Sequence, residues 1–257
     1  MPRFVTSSSQ LSKTLPALAV FAREPIPGRA KTRLIPLLGP RGAADFHAAL
    51  VSDTLQKVNA LAEHAEPYFF LDGEKFPVSS SLSDYTLKRQ RGADLGERLE
   101  FAFEALLKSH ARAVVIGTDS PLLSRRALVT ALEKLRALDA VLGPCPDGGF
   151  HLIGLRRHLP GLFDGVRWGS ELAFEDMQAS LSAHGLSCRI LDSIDDVDRP
   201  EDVERLKDEF IASAAVRRRS PSAWRFLREF FALKLAPKKR KKESPAPRQV
   251  KVSSPRS

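Results

Sequence analysis

The sequence lacks cysteine clusters and long apolar runs. Its 257 residues include two cysteines, Cys145 and Cys188, too few for a disulfide framework or a four-cysteine zinc site. The longest apolar run near the start, from Ala17 to Ala22, is too short for a signal core or a membrane span. We therefore expect a cytoplasmic protein. Glycine and proline, at 15 and 18 residues, are not in excess, which excludes collagen-like and wholly disordered chains.

Negative charge is scarce at the C-terminus. The formal net charge is +9, but residues 217–257 alone carry 14 Lys and Arg against two acidic residues. The remaining residues, 1–216, are therefore slightly acidic, at about −3 by the same count. A nucleic-acid-binding function would rest on this tail only, so we do not expect a nucleic-acid partner.

Short apolar runs alternate with segments of helical period. Strands are predicted at 18–21, 67–71, 85–89, 113–116, 140–142, 150–155 and 188–191, and helices at 45–62, 95–107, 125–138, 171–184 and 200–210. This alternation predicts an α/β fold with a mostly parallel sheet and helices on both faces. We divide the chain into a disordered leader (1–14), a nucleotide-binding domain (15–212), an amphipathic helix (213–236) and a disordered basic tail (237–257).

A basic loop follows the first predicted strand, at the sheet edge where ligands of parallel sheets bind. It contains Arg23, Arg29, Lys31 and Arg33, and its prolines and Gly28 prevent an early helix. Lys and Arg hold phosphates, helped by backbone N–H groups at a helix start. The Walker signature is absent, which excludes a P-loop NTPase. The alternative is a solvated basic loop.

Asp119 follows the most apolar strand, in Gly117-Thr118-Asp119-Ser120-Pro121. A carboxylate at the end of a buried strand is costly unless it is paired or bound to a metal. Its hard oxygen ligands suit Mg²⁺ or Mn²⁺ together with bound phosphates. The alternative is that Asp119 braces the turn while Ser124 caps the next helix.

Two further segments bring carboxylates to the same edge. Asp147, Gly148 and Gly149 form a turn in which the glycines would let a ligand approach the main chain, although a plain hairpin is the alternative. Asp198 is either the N-cap of the last helix or a metal ligand. We interpret His151 as structural and Cys145 as a small buried residue, because neither has a partner of suitable spacing.

In this order, the motifs resemble the radical-SAM/selenodomain-associated transferase 1 group, within the nucleotide-diphospho-sugar transferase (GT-A-like) superfamily. The resemblance covers residues 15–210 and is carried by 21–25, 28–34, 93–98, 117–121, 147–155 and 196–202. It implies a Rossmann-like three-layer α/β/α sandwich that binds a nucleotide over its N-terminal half. The basic loop is similar to that of 2-phospho-lactate and molybdenum-cofactor guanylyltransferases, where it serves the triphosphate. Arg199 departs from the usual Thr.

The resemblance also implies roles for individual residues. Lys31 and Asp119 would be catalytic, and Asp119 would hold Mg²⁺ or Mn²⁺, with Asp198 as a second ligand if it does not cap the helix. The nucleotide would contact six residues, and the acceptor four. The nucleotide-binding set is Ala22, Arg23, Gly28, Lys31, Arg33 and Asp94; the acceptor set is Asp147, Gly148, Gly149 and Trp168.

Three functions remain open at this stage. The segment 118–120 lacks the Asp-x-Asp of many glycosyltransferases, which favours nucleotidyl transfer from an NTP to a small phosphorylated or hydroxyl acceptor, with pyrophosphate release. Glycosyl transfer from a nucleotide sugar is the first alternative. The second is a non-catalytic scaffold that acts through its basic tail.

The C-terminal segment predicts an amphipathic helix at 223–235 followed by the polybasic run 238–242. This pattern is typical of an interfacial anchor, so residues 223–242 could bind an anionic membrane surface and place the protein on the inner face of the membrane. The alternative is that the helix docks on its own domain.

Overall fold

The computed structural model describes residues 15–76 and 82–233; the predicted leader and basic tail, 1–14 and 237–257, lie outside them. This part of the chain contains seven strands and seven α-helices. The strands are β1 (Ala17–Arg23), β2 (Glu66–Asp72), β3 (Thr86–Arg89), β4 (Ala113–Ile116), β5 (Ala140–Pro144), β6 (Phe150–Leu155) and β7 (Cys188–Ile190). The helices are α1 (Ile35–Asn59), α2 (Leu95–Leu107), α3 (Arg125–Lys134), α4 (Ala173–Ala183), α5 (Pro200–Ala212), α6 (Ala214–Arg219) and α7 (Pro221–Phe230).

The strands form one sheet in the order β3-β2-β1-β4-β6-β5-β7. All neighbours are parallel except β6, which runs antiparallel to both β4 and β5. The predicted α/β class with a mostly parallel sheet is therefore confirmed. Because β1 and β4 are adjacent and parallel, the segments that follow them lie at the same edge of the sheet, which brings the basic loop next to Asp119.

Helices cover both faces of the sheet, which gives the three layers expected. On one face α2 and α4 pack through Phe103 and Met177, both fully buried. On the other face α1 and α3 pack through Val51 and Leu128. Each face buries an apolar stripe of its helices, and this burial is the main favourable term for the fold.

Helix α1 starts ten residues earlier than predicted, at Ile35 instead of 45. A proline stands in its first turn, where a backbone N–H has no acceptor within the helix, so the absence of this N–H breaks no hydrogen bond. The pair Gly39-Pro40 forms a kink, at Gly39 (φ 68°, ψ 166°), inside a continuing helix.

Helix α7 packs on α1, which decides between the two alternatives for the C-terminal helix. Ala223 and Leu227 are fully buried and Trp224 is 9% exposed, in a cluster with Phe46 and Phe210. The buried apolar residues of α7 are therefore not available to a membrane, as the docking alternative expects, whereas a membrane surface at 223–242 extends beyond the described residues and stays a prediction. The domain boundary near 212 stays a prediction. No helix within 15–76 or 82–233 is long and apolar enough to cross a bilayer.

Candidate active site

Three of the residues singled out from the sequence meet at the carboxyl edge of the sheet. The Nζ atom of Lys31 lies 2.7 Å from Asp119 Oδ1 and 2.6 Å from Asp198 Oδ1. It also donates a hydrogen bond of 2.7 Å to the carbonyl of Val197, whose own N–H donates to the carbonyl of Asp119 at 2.9 Å. The loops after β1 and β4 and the segment before α5 are thus joined through one ammonium group.

Charge dominates the protonation of this cluster. Burial alone would lower the pKa of Lys31, whose side chain is 5% exposed, but Asp119 and Asp198 outweigh burial and raise it. Burial would likewise raise the pKa of Asp119, and the adjacent Lys31 charge lowers it instead. The cluster is therefore an ammonium held between carboxylates.

The backbone of Lys31 has a conformation that most residues avoid. Its φ and ψ are 47° and 48°, in the left-handed region, and it directly precedes the 3-10 turn Thr32–Leu34. Such a conformation costs about 1–3 kcal/mol in a residue with a side chain and is concentrated at functional sites. Here it carries the ammonium toward the two carboxylates.

The structure corrects the N-cap interpretation of Asp198. Arg199 is the N-cap of α5, and the Asp202 carboxylate accepts hydrogen bonds from the N–H groups of Asp198 and Arg199, at 3.0 and 2.7 Å. The Asp198 carboxylate is consequently available to Lys31. Ser124 caps α3, as expected, accepting from Ala127 N at 3.1 Å, and the Asp119 carboxylate is instead paired with Lys31.

The carboxylate oxygens of Asp119 and Asp198 are ligands that suit a hard divalent cation. The buried Oδ1 of Asp119 has no hydrogen-bond partner among the described residues apart from its ion pair with Lys31.

A second group of possible metal ligands consists of Cys145, Asp147 and Asp196, whose ligand atoms lie within 4.8 Å of one another. Burial, with Asp147 and Asp198 nearby, raises the pKa of Asp196 to about 7. Burial and the same acidic surroundings raise the pKa of the Cys145 thiol, so it stays protonated and is a poor ligand.

The basic loop surrounds this cluster with cations of different exposure. Arg33 is 60% exposed and its Nη1 lies 3.7 Å from Asp198 Oδ2. Arg23 is 67% exposed and its Nε lies 3.4 Å from Asp72 Oδ2. Gly28 is in the exposed turn of the loop, whereas Ala22 is buried and its carbonyl accepts from Gln90 at 3.1 Å. The exposed arginines are thus paired with carboxylates on the protein side but still reach solvent, where they could meet an anion.

The segment 93–98 has local structural tasks. Asp94 is the N-cap of α2 and accepts from Glu97 N at 2.9 Å, and Glu97 in turn accepts from Ala93 N at 2.7 Å. Arg98 donates to Asp72 at the end of β2, at 2.7 Å. The contact predicted between Asp94 and the nucleotide stays a prediction.

Trp168 packs over the start of α2. A Cβ added at Gly96 would stand 2.4 Å from the indole nitrogen, so only glycine allows the approach. The ring also contacts Phe150 edge-on, at 6.0 Å between centroids. Trp168, predicted to face the acceptor, therefore lies beside Asp94, predicted to contact the nucleotide.

The turn at 147–149 differs from the expectation. A Cβ at Gly148 would meet the carbonyl oxygen of Glu171 at 1.8 Å, so its missing side chain serves the chain itself. Gly148 N donates to the carbonyl of Cys145 and Gly149 N donates to Asp147 Oδ1, at 3.2 and 2.9 Å. Both N–H groups are used inside the turn and are not available to a ligand; the contribution of this turn to acceptor binding stays a prediction.

One histidine near the site had no signal in the sequence. His47, on α1, is 6% exposed and donates from Nε2 to the carbonyl of Arg23 at 3.1 Å, while its Nδ1 has no partner among the described residues. Burial lowers its pKa, so the ring is neutral. A helical period shows that position 47 faces inward but not that it reaches the basic loop. His151 is buried against Pro144, which agrees with its structural interpretation, and its pKa falls to about 4.

Comparisons with known proteins bear on the fold and on the class of enzyme. Residues 54–170 match the family described as uncharacterized proteins conserved in bacteria, DUF2064. The 2-phospho-L-lactate guanylyltransferase of Methanothermobacter thermautotrophicus is 27% identical over 166 residues, which cover 64% of this chain and 71% of that protein. A crystal structure from Desulfovibrio desulfuricans G20, assigned as a nucleotide-diphospho-sugar transferase, is 31% identical with a TM-score of 0.75, and the match covers 84% of this chain and 95% of that one.

These matches confirm the expected superfamily and the transferase class, since both relatives are named as transferases. The narrower radical-SAM/selenodomain-associated group is not confirmed. An identity of 31% over nearly the whole of a solved relative, together with the family match, shows common descent. The chain belongs to the same family as this solved relative and has the fold of the nucleotide-diphospho-sugar transferases, and its residues 54–170 match the DUF2064 model.

Proposed function

We propose that this protein is a nucleotidyltransferase that uses a divalent cation, Mg²⁺ or Mn²⁺, and transfers a nucleoside monophosphate from an NTP to a small phosphorylated acceptor. The observation that carries the proposal is the cluster of Lys31, Asp119 and Asp198, with exposed arginines around it. The relative named as a guanylyltransferase supports nucleotidyl transfer and suggests GTP as the first donor to test.

The proposed reaction displaces pyrophosphate. An acceptor oxygen attacks the α-phosphorus, the bond between that phosphorus and the bridging oxygen breaks, and pyrophosphate leaves with the electron pair. Negative charge accumulates on the departing phosphates, so cations placed in advance lower the barrier. Arg33, Arg23 and Arg29 would bind the phosphates of the donor, because they are exposed at the edge where the donor would lie.

Asp119 and Asp198 would hold the cation. When bound, a divalent cation supplies charge neutralisation and orients the phosphates. Lys31 would remain beside the carboxylates and turn its charge toward the incoming phosphates, since an ammonium on a four-carbon stem can exchange partners without a backbone movement. Asp94, Ala22 and Gly28 would line the donor, and Trp168 with 147–149 would line the acceptor.

The test is a ligand screen by thermal shift, with each NTP and each nucleotide sugar, with and without Mg²⁺ or Mn²⁺. We expect an NTP, first GTP, to raise the melting temperature only when the cation is present. Asp119→Asn should abolish this shift, whereas Asp45→Asn, which removes a surface carboxylate paired with Arg41, should retain it. Release of pyrophosphate from GTP on adding 2-phospho-L-lactate would identify the acceptor class.

Glycosyl transfer is the second candidate, favoured by the name of the solved relative. Stabilisation by a nucleotide sugar, with no response to any NTP, would replace nucleotidyl transfer by this function. No response to either class of nucleotide would contradict both and favour the non-catalytic scaffold. An equal response in Asp119→Asn and the unaltered protein would show that Asp119 only supports the turn.

A further inference from the structure

A buried polar network lies directly behind the Asp119 loop and joins three distant parts of the chain. Lys57, on α1, donates from Nζ to the carbonyl of Pro121 at 2.7 Å and to Ser220 Oγ at 3.2 Å. Ser220, between α6 and α7, donates its hydroxyl to the same carbonyl at 2.6 Å. Both donors are buried, at 7% and 0% exposure. One backbone oxygen thus receives two hydrogen bonds from side chains.

Stability alone does not account for this arrangement. Burial lowers the pKa of Lys57 to about 8, which shows that the ammonium is poorly compensated there. The carboxylate that favours the charged form of Lys57, Asp53, is already used at the start of α7, where it accepts from the N–H groups of Ser222 and Ala223 at 2.8 and 2.9 Å. A buried polar group of this kind is better suited to fixing a geometry than to adding stability.

The geometry that it fixes is that of the segment bearing Asp119. Pro121 is two residues beyond Asp119, and its carbonyl is held by Lys57 and Ser220. On the other side, the carbonyl of Asp119 itself is held by Val197 N at 2.9 Å. Residues 119–121 are therefore fixed from two sides, once by the segment before α5 and once by α1 and the start of α7.

We propose that Lys57 and Ser220 are positioning residues for the Asp119 carboxylate, and that the start of α7 therefore belongs to the active-site machinery. Ser220 lies outside the residues 54–170 that match the family, so the family match does not assign it this role. The inference rests on the proposed function, because it takes Asp119 as a ligand of the cation that accompanies the nucleotide.

The test uses the full chain and titrates Mn²⁺ in the presence of GTP, at a temperature below the unfolding transition of every variant. Ser220→Ala removes one hydroxyl donor, and Lys57→Met removes the ammonium with little change in length. Ser213→Ala is the matched control, because that hydroxyl lies on the same segment and caps α6 by accepting from Val216 N at 3.3 Å, its only hydrogen bond to a residue within 15–76 or 82–233.

We expect the half-saturating Mn²⁺ concentration to rise about threefold in Ser220→Ala and about tenfold in Lys57→Met, in proportion to the loss of one neutral and one charged hydrogen bond. The double variant should fall short of the product of the two changes, because both donors serve one carbonyl. Ser213→Ala should bind Mn²⁺ like the unaltered protein, whatever its melting temperature.

The outcomes separate this inference from the function on which it rests. If the unaltered protein binds Mn²⁺ with GTP but Ser220→Ala and Lys57→Met bind it equally well, the network is structural and the inference is overturned while the proposed function stands. If the unaltered protein shows no Mn²⁺-dependent GTP binding, both are overturned. Should Lys57→Met fail to fold, the comparison of Ser220→Ala with Ser213→Ala decides alone.

Discussion

Lys31 and Asp198 are 167 residues apart in sequence, yet Lys31 Nζ and Asp198 Oδ1 lie 2.6 Å apart. The same ammonium lies 2.7 Å from Asp119 Oδ1, so one cation serves carboxylates from two loops. An ammonium and a divalent cation would use the same carboxylate oxygens. Lys31 and the cation should therefore compete when no nucleotide is present, and act together when phosphates bring additional negative charge.

This competition predicts that replacing Lys31 changes the affinity for the cation alone and the affinity for GTP with the cation in opposite directions. We expect Lys31→Met to bind Mn²⁺ alone more tightly, up to about tenfold, because a like charge at the carboxylates is removed. The same variant should bind GTP with Mn²⁺ more weakly than the unaltered protein. Isothermal titration calorimetry measures both. Weaker binding of Mn²⁺ in both experiments would show that Lys31 organises the carboxylates and does not compete for them.

The second prediction concerns Arg33→Ala, which should affect binding of the nucleotide and not binding of the cation. Its guanidinium is 60% exposed and 3.7 Å from Asp198, so solvent screens the pair and its removal should leave Mn²⁺ binding and stability nearly unchanged. We expect it to weaken GTP binding more than guanosine binding, by roughly 1.5–3 kcal/mol for a charge-assisted contact to phosphate. An equal loss for GTP and guanosine would place Arg33 at the base or in support of the fold.

The turn at 147–149 offers a pair of adjacent glycines with different requirements. We expect Gly148→Ala to lower the free energy of unfolding by more than about 2 kcal/mol, since its φ is +85° and a Cβ would clash with Glu171 O at 1.8 Å. At Gly149, where only the Asp147 side chain is near, alanine should change stability by less than about 1 kcal/mol. Urea unfolding compares the two, and a similar loss for both would contradict the close packing on Glu171.

Much of this fold could be predicted because its strands are short apolar runs between helical periods. The predictions for β4 and β6 coincide with the observed bounds, 113–116 and 150–155. Asp119 was singled out because a carboxylate after such a strand needs a partner. Its partner, Lys31, was expected to bind phosphate, and the pairing could not be foreseen because it depends on a left-handed backbone conformation at residue 31.

The remaining residues of the site depend on packing between distant segments. Lys57 and His47 occupy inward positions of a long helix, where a sequence pattern shows burial but not which loop is reached. Asp198 was weighed as an N-cap because Pro200 follows it, but Asp202 supplies the capping carboxylate and leaves Asp198 to Lys31. Local rules predicted the presence of a cap and not which of several neighbouring acids would provide it.

The packing of α7 on α1 can be checked with two apolar residues on the same helix. Leu227 is fully buried, so Leu227→Ala should lower the free energy of unfolding by about 2–5 kcal/mol. Phe230 is 46% exposed, and Phe230→Ala should cost less than half of that. Equal, small losses would mean that α7 is not held against the domain in solution, and the membrane surface at 223–242 would then be tested with anionic vesicles.

The last prediction concerns the pH dependence of stability at Lys57. Its pKa is lowered from 10.5 to about 8 in the folded protein, chiefly by burial and less by Arg219, with Asp53 acting in the opposite direction. Below pH 8 the ammonium is charged in both states, and its unfavourable burial is fully present. Between pH 8 and 10.5 the unfolded chain binds more protons at this site than the folded chain does. The contribution of Lys57 to the free energy of unfolding must therefore rise with pH across this interval.

The measurable quantity is the difference in unfolding free energy between the unaltered protein and Lys57→Met, obtained by urea unfolding at several pH values. This difference should shift in favour of the unaltered protein by up to about 3 kcal/mol between pH 8 and 10.5, because each pKa unit corresponds to about 1.4 kcal/mol. Other groups that titrate in this range are common to both proteins and cancel. Lys108→Met, which removes an exposed ammonium beside Glu104, is the control for the loss of an ammonium as such. A flat difference for Lys57→Met would mean that the Lys57 ammonium keeps its ordinary pKa and that solvent reaches the network behind Pro121.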